Sequence, residues 1–140
     1  MTEIISPRKD GNIKNKYDEY GRVVEQTLAD GSTMYFDYDD INRTTTLTER
    51  NGSRIIYKYD DKYRITEAIY EDGVEKYTYN DNNERTSFTD KKGNTYYYQY
   101  DSNGNLISIK DPLNQITEYT YDKNNKITSI KHPDGSTYSF

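Results

Sequence analysis

The stretch Tyr100-Asp101-Ser102-Asn103-Gly104-Asn105-Leu106 opens on a dipeptide that returns along the chain as Tyr17-Asp18, Tyr38-Asp39, Tyr59-Asp60, Tyr79-Asn80 and Tyr121-Asp122. The spacing is 21 residues, except for one step of 20 that ends at Tyr79. Fourteen positions after each tyrosine stands a second landmark, at Gly31, Gly52, Gly73, Gly93, Asn114 and Gly135. Self-similarity at such a period marks a repeat architecture, in which each unit buries its apolar face against its neighbours. The register takes in residues 17–140 as about six repeats and leaves residues 1–16 as an N-terminal extension or cap.

Within each repeat the side chains alternate with a period of two. Met34, Phe36 and Tyr38 are matched by Ile55, Tyr57 and Tyr59 and by Tyr96, Tyr98 and Tyr100, while Asp37, Lys58, Thr78, Gln99 and Thr120 fall between. That is the pattern of a β-strand with one aromatic and one wet face. The other half-repeat is rich in β-branched residues, as in Ile65-Thr66 and Ile127-Thr128-Ser129-Ile130, and reads as a second strand. Its apolar residues sit six and nine positions after the tyrosine, as Leu106 and Ile109 do. An odd separation on one face calls for a bulge or a change of twist.

Turn residues separate the strands. Asp30-Gly31, Asn51-Gly52, Asp72-Gly73 and Asp134-Gly135 suit a tight hairpin of type I′, whose two central residues both need positive φ. In the opposite turn, Asp18, Asp39, Asp60, Asp101 and Asp122 can accept from the backbone two residues on. Gly21, Asn42, Asn83, Gly104 and Asn125 then occupy the left-handed position, and Tyr63 breaks that series. Two turns per repeat predict an all-β chain, a continuous antiparallel meander of eleven or twelve short strands, curved or spiral as a ribbon.

Composition narrows the function. Only 31% of the 140 residues are hydrophobic and 17 are Tyr, so tyrosine must build much of the core. The net charge of −5 is spread without a basic cluster, which argues against nucleic-acid binding. The chain has no Cys, no apolar stretch at its start that would serve as a signal peptide, and none for membrane insertion.

Six copies of the motif, with Tyr17-Asp18-Glu19-Tyr20-Gly21-Arg22-Val23 beside the opening stretch, resemble the YD repeats of the Rhs, Tc-toxin and teneurin families. The resemblance implies β-hairpins wound into a spiral, which in long arrays close into a shell around a toxin polypeptide. Other members lie on adhesive or cell-wall proteins. It implies a non-catalytic structural module, secreted or at the cell surface as part of a longer protein. Its partners would be adjacent YD repeats and an encapsulated toxin polypeptide. Neither the family's autocleaving core-associated segment nor a toxin tail is apparent, so the chain reads as a segment of a longer array or a small orphan unit.

Chemical alternatives are thin. The one His, His132, lies beside Pro133-Asp134-Gly135 and reads as a turn residue. Asp111-Pro112 reads as a turn as well. Asp101, Asn103 and Asn105 imitate the start of a calcium loop, but the bidentate glutamate position is Pro112, so no metal and no cofactor is expected. The alternative to a scaffold is a tyrosine-lined carbohydrate- or protein-binding module, with Tyr35, Tyr97 and Ile56 as its candidate binding surface. A contiguous exposed aromatic patch there would favour glycan or protein binding. Thr137-Tyr138-Ser139-Phe140 carries no charge or proline to block pairing, so self-association through an edge strand is a further expectation.

Overall fold

The computed structural model describes residues 2–6 and 12–140, with side chains from residue 12 onward. Contacts divide the chain into a unit of residues 1–73 and a unit of residues 74–140. The boundary falls within the 20-residue step of the repeat.

The first unit carries β1 (Thr2–Ser6), β2 (Ile13–Tyr17), β3 (Val23–Thr27), β4 (Thr33–Asp39), β5 (Thr44–Thr48), β6 (Arg54–Tyr59) and β7 (Ile65–Tyr70). The second holds β8 (Gly73–Tyr79), β9 (Arg85–Thr89), β10 (Thr95–Tyr100), β11 (Leu106–Lys110), β12 (Ile116–Tyr121), β13 (Ile127–Lys131) and β14 (Thr137–Ser139). In each unit every strand pairs antiparallel with the next in the chain, as the all-β meander requires. The described strands exceed the expected eleven or twelve because β1 and β2 lie in the segment read as an N-terminal extension or cap.

Alternation along the strands is plain. In β4, Phe36 and Tyr38 are half-buried while Tyr35, Asp37 and Asp39 are exposed. Among the described residues the most enclosed apolar side chains are Ile55 at 9% exposure and Ala68 at 1%, and no large side chain is fully buried. The aromatic face is therefore half-covered, and hydrogen bonds must contribute much of the local definition.

The odd six-and-nine spacing proves to be a bulge. Gln99 faces Ser108 but Tyr100 faces Leu106, so Ile107 is the extra residue, and Thr120–Ser129 with Tyr121–Ile127 skips Thr128 in the same way. Equivalent shifts occur at Tyr17, Tyr59 and Tyr79. The second repeat differs: Asp37, Tyr38 and Asp39 face Thr46, Thr45 and Thr44 in unbroken register. The residue that the bulge absorbs elsewhere enlarges its turn instead, so the left-handed residue is Arg43 (φ 54) rather than the expected Asn42.

The mid-repeat turns also differ from the type I′ expectation. Gly31 N–H donates to Leu28 O and Leu28 N–H to Ser32 O, with Gly31 at φ 85 and no positive φ recorded at Asp30. This is a three-residue loop, a type I turn closed by one left-handed glycine, which Asp-Gly serves equally well. Gly73 is placed as the first residue of β8.

Tyr63 adopts the ordinary turn of its position after all, at φ 61, with its N–H donating to Asp60 O at 3.1 Å. A bulky side chain in this conformation is strained by roughly 1 kcal/mol or more. Its ring is 87% exposed, so little packing is lost on removing it. Tyr63→Asn is expected to stabilise the chain by about 1 kcal/mol, read as a higher urea midpoint at unchanged slope.

Candidate functional site

The repeat tyrosines act through their hydroxyls. Tyr38 Oη donates to Val23 O at 2.6 Å, Tyr100 to Arg85 O at 2.7 Å and Tyr121 to Leu106 O at 2.6 Å. Each acceptor sits opposite the tyrosine of the preceding repeat, at the bulge. A bulge interrupts the ladder and leaves backbone groups in need of partners, and the next tyrosine supplies one. Tyr59 follows the repeat that has no bulge, and no such bond is recorded for its hydroxyl.

The aspartates organise the turns. Asp18 Oδ1 accepts from the N–H groups of Tyr20 and Arg22, each at 2.9 Å, and its Oδ2 from Arg22 Nε at 2.8 Å. Asp60, Asp101 and Asp122 accept from the backbone in the same pattern. Asp39 accepts instead from Ile41 N–H and Asn42 N–H in the enlarged turn. The residue five positions after the tyrosine also reaches the next repeat, Arg22 through Nη1 to Asp40 Oδ1 at 2.7 Å and Asn105 through Nδ2 to Asn125 Oδ1 at 2.9 Å.

These bonds leave a signature in proton affinity. The Asp60 carboxyl is held below the ordinary 3.8 by the Arg64 backbone N–H, against partial desolvation and with help from the Arg64 side chain. The Asn105 backbone N–H does the same for Asp101. Burial raises the Tyr38, Tyr100 and Tyr121 hydroxyls above 10.0. A lowered carboxylate contributes stability above its unfolded value that is lost as pH falls through its folded value. A raised phenol contributes stability below its unfolded value that is lost as pH rises through its folded one. Urea midpoints are thus expected to be flat between about pH 5 and 9, to fall below about pH 4 and to fall again above about pH 10.

The candidate binding tyrosines stand among polar neighbours within their own units. Tyr35 is 51% exposed, but Glu25 and Thr48 flank it across the strands, and Ile56 is half-buried between Thr46 and Ile69. Tyr97 is 52% exposed between Ser87 and Lys110, whose ammonium lies 5.9 Å from its ring. Neither Tyr35 nor Tyr97 has an aromatic residue directly across the strands. His132 and Asp111 lie in turns, His132 edge-on to Tyr138, and the oxygens of Asp101 are occupied by Asn103 and Asn105. No cluster of metal-ligating side chains occurs among the described residues.

What sequence reasoning missed is a cleft of about 450 Å³ in the first unit, at the repeat without a bulge. Its walls include Tyr38, Tyr59, Asp39, Asp61, Arg43 and Tyr63.

The RHS Repeat family model matches residues 38–75 and 100–137, more than half of the chain. The chain belongs to the RHS repeat family. The match takes in Tyr38, Tyr100 and Tyr121, the three hydroxyl donors, and both partners of the Tyr121–Leu106 bond. Solved structures with this fold include the TcdB2-TccC3-Cdc42 crystal structure, at 18% identity and a TM-score of 0.65 over 88% of this chain. A Photorhabdus luminescens Tc holotoxin pore carrying a TccC3 mutation aligns at 19% identity and a TM-score of 0.69 over 89%. This RHS-repeat chain spans 7% of the length of each. No curated protein matches it.

Proposed function

We propose that this RHS-repeat chain is a non-catalytic structural segment of a bacterial Rhs-type shell that encloses a toxin polypeptide, or of a related surface protein. The observation that carries the reading is the tyrosine–bulge lock, which ties successive repeats together where the bulge is kept: Tyr100 Oη to Arg85 O, then Tyr121 Oη to Leu106 O. Such a link extends a sheet by like steps and puts the repeat tyrosines to structural use. The many half-exposed tyrosines suit a wall, which supports its neighbours and lines a space.

Its partners in this reading are adjacent repeats and an enclosed polypeptide, and the longer protein acts outside the cytosol, secreted or at the cell surface. A repeat array also pairs at its edges, and Thr137–Ser139 of β14 are exposed. The reading is tested by the reading frame on either side of residues 1–140. In-frame repeats joined to a toxin-like polypeptide support it. A frame in which no repeat adjoins these residues, together with a sharply monomeric chain in sedimentation, would sink it.

A further inference from the structure

Arg22 shows what a repeat does with a guanidinium. Its Nε bonds Asp18 Oδ2 at 2.8 Å, its Nη1 bonds Asp40 Oδ1 at 2.7 Å, and its plane lies 4.4 Å from the Tyr38 ring centre. One period on, the same residue types recur as Arg43, Asp39, Asp61 and Tyr59. The clasp is absent there. Arg43 is the left-handed residue of the enlarged turn, which the bond from Tyr59 N–H to Arg43 O fixes at 2.9 Å. Asn42 Nδ2 takes the place of the guanidinium on Asp39 Oδ2 at 2.7 Å. No hydrogen bond or ion pair is recorded for the side chains of Asp61, Arg43 or Tyr59, and all three line the cleft of about 450 Å³.

We propose that this cleft binds a guanidinium, the arginine side chain of a polypeptide lying along the turns. The Tyr59 ring supplies the cation–π face that Tyr38 offers Arg22, and Asp61 stands where Asp40 stands. Arg22 and Arg64 are already paired, with Asp40 and Asp60 among their partners, so Asp39, Asp61 and Arg43 leave the lining negative overall. A planar cation that bonds and stacks at once fits the neighbouring template better than an ammonium does. A polypeptide is favoured as its source because Tyr63 of the cleft wall is 87% exposed and Ile41, in the same turn as the lining residues Asp39, Asp40 and Arg43, is 93% exposed, so both can meet apolar residues beside the arginine. Nothing in this inference depends on the shell reading, which stands if the inference fails.

The test titrates the whole chain, followed by NMR, with an arginine-centred pentapeptide, with the same peptide carrying citrulline, and with free arginine. Saturable binding in the millimolar range is expected for the arginine peptide, about tenfold weaker for the citrulline peptide and for free arginine. Asp61→Asn, at an exposed position with no recorded partner, should fold normally and weaken the arginine peptide about tenfold, whereas Asp30→Asn should leave it unchanged. Equal binding of arginine and citrulline peptides, or an Asp61→Asn chain that binds as well as the parent, overturns the assignment. Free arginine that binds as tightly as the peptide overturns the polypeptide source. Binding seen only after Arg43→Ala would show that Arg43 itself fills the cleft, which also overturns it.

Discussion

Tyr100→Ala is expected to destabilise the chain by about 3 kcal/mol, and Tyr100→Phe by about 1 kcal/mol. The first figure combines the loss of a half-buried aromatic ring, roughly 2 kcal/mol, with the loss of its hydrogen bond. The second isolates the bond: phenylalanine keeps the ring but leaves Arg85 O, 2.7 Å from the hydroxyl, without that donor at the bulge. Urea unfolding of both variants, followed by circular dichroism, separates the two contributions. If Tyr100→Phe were as stable as the parent, water would be serving the bulge carbonyl and the lock would carry no energy. Near-neutral Tyr100→Ala would mean that the ring faces solvent, against the half-buried state seen along β10.

Much of the fold is legible because the repeat is written in residues with backbone consequences. Aspartate after tyrosine accepts from the N–H two residues on wherever it stands, at Asp18, Asp60, Asp101 and Asp122 alike. The separation of Leu106 from Ile109 can satisfy one face only if a residue is skipped, and Ile107 is skipped. The turn type was harder to read. Asp-Gly fits either a two-residue loop with both residues left-handed or a three-residue loop with glycine alone left-handed, and only the strand register decides between them. The local residues of Asp30-Gly31 do not encode that register.

The candidate site was legible in part. Tyr-Asp positions announce themselves, but the hydroxyl bonds join residues fifteen apart, and which carbonyl is freed depends on where the bulge falls. The cleft has a faint signal in Thr44, polar where Val23, Ile65, Leu106 and Ile127 are apolar. That signal alone is insufficient, since Arg85 is polar at the same position and its repeat keeps the bulge. Tyr35 and Tyr97 stood out by residue type, yet their neighbours across the strands, Thr48 and Lys110, decide whether they make a surface.

Phe88→Ala is expected to cost about 3 kcal/mol, comparable with Tyr100→Ala but for a different reason. Phe88 is the middle of three stacked rings, 5.5 Å from Tyr77 and 6.3 Å from Tyr96, and it faces both across the ladder. Removing it forfeits two ring contacts, about 0.5–1.5 kcal/mol each, and opens space between strands that hydrogen bonding holds at fixed separation. The neighbours cannot collapse into that space without breaking the pairing of β9 with β8 and β10. Phe88→Leu keeps most of the volume and none of the stacking, so it should lose only about 1–2 kcal/mol. Equal losses for the two variants would show that the ring contacts, not the volume, set the cost at this position. A difference of about 1 kcal/mol or more would show that the hole left by alanine, rather than the stacking, sets most of the cost.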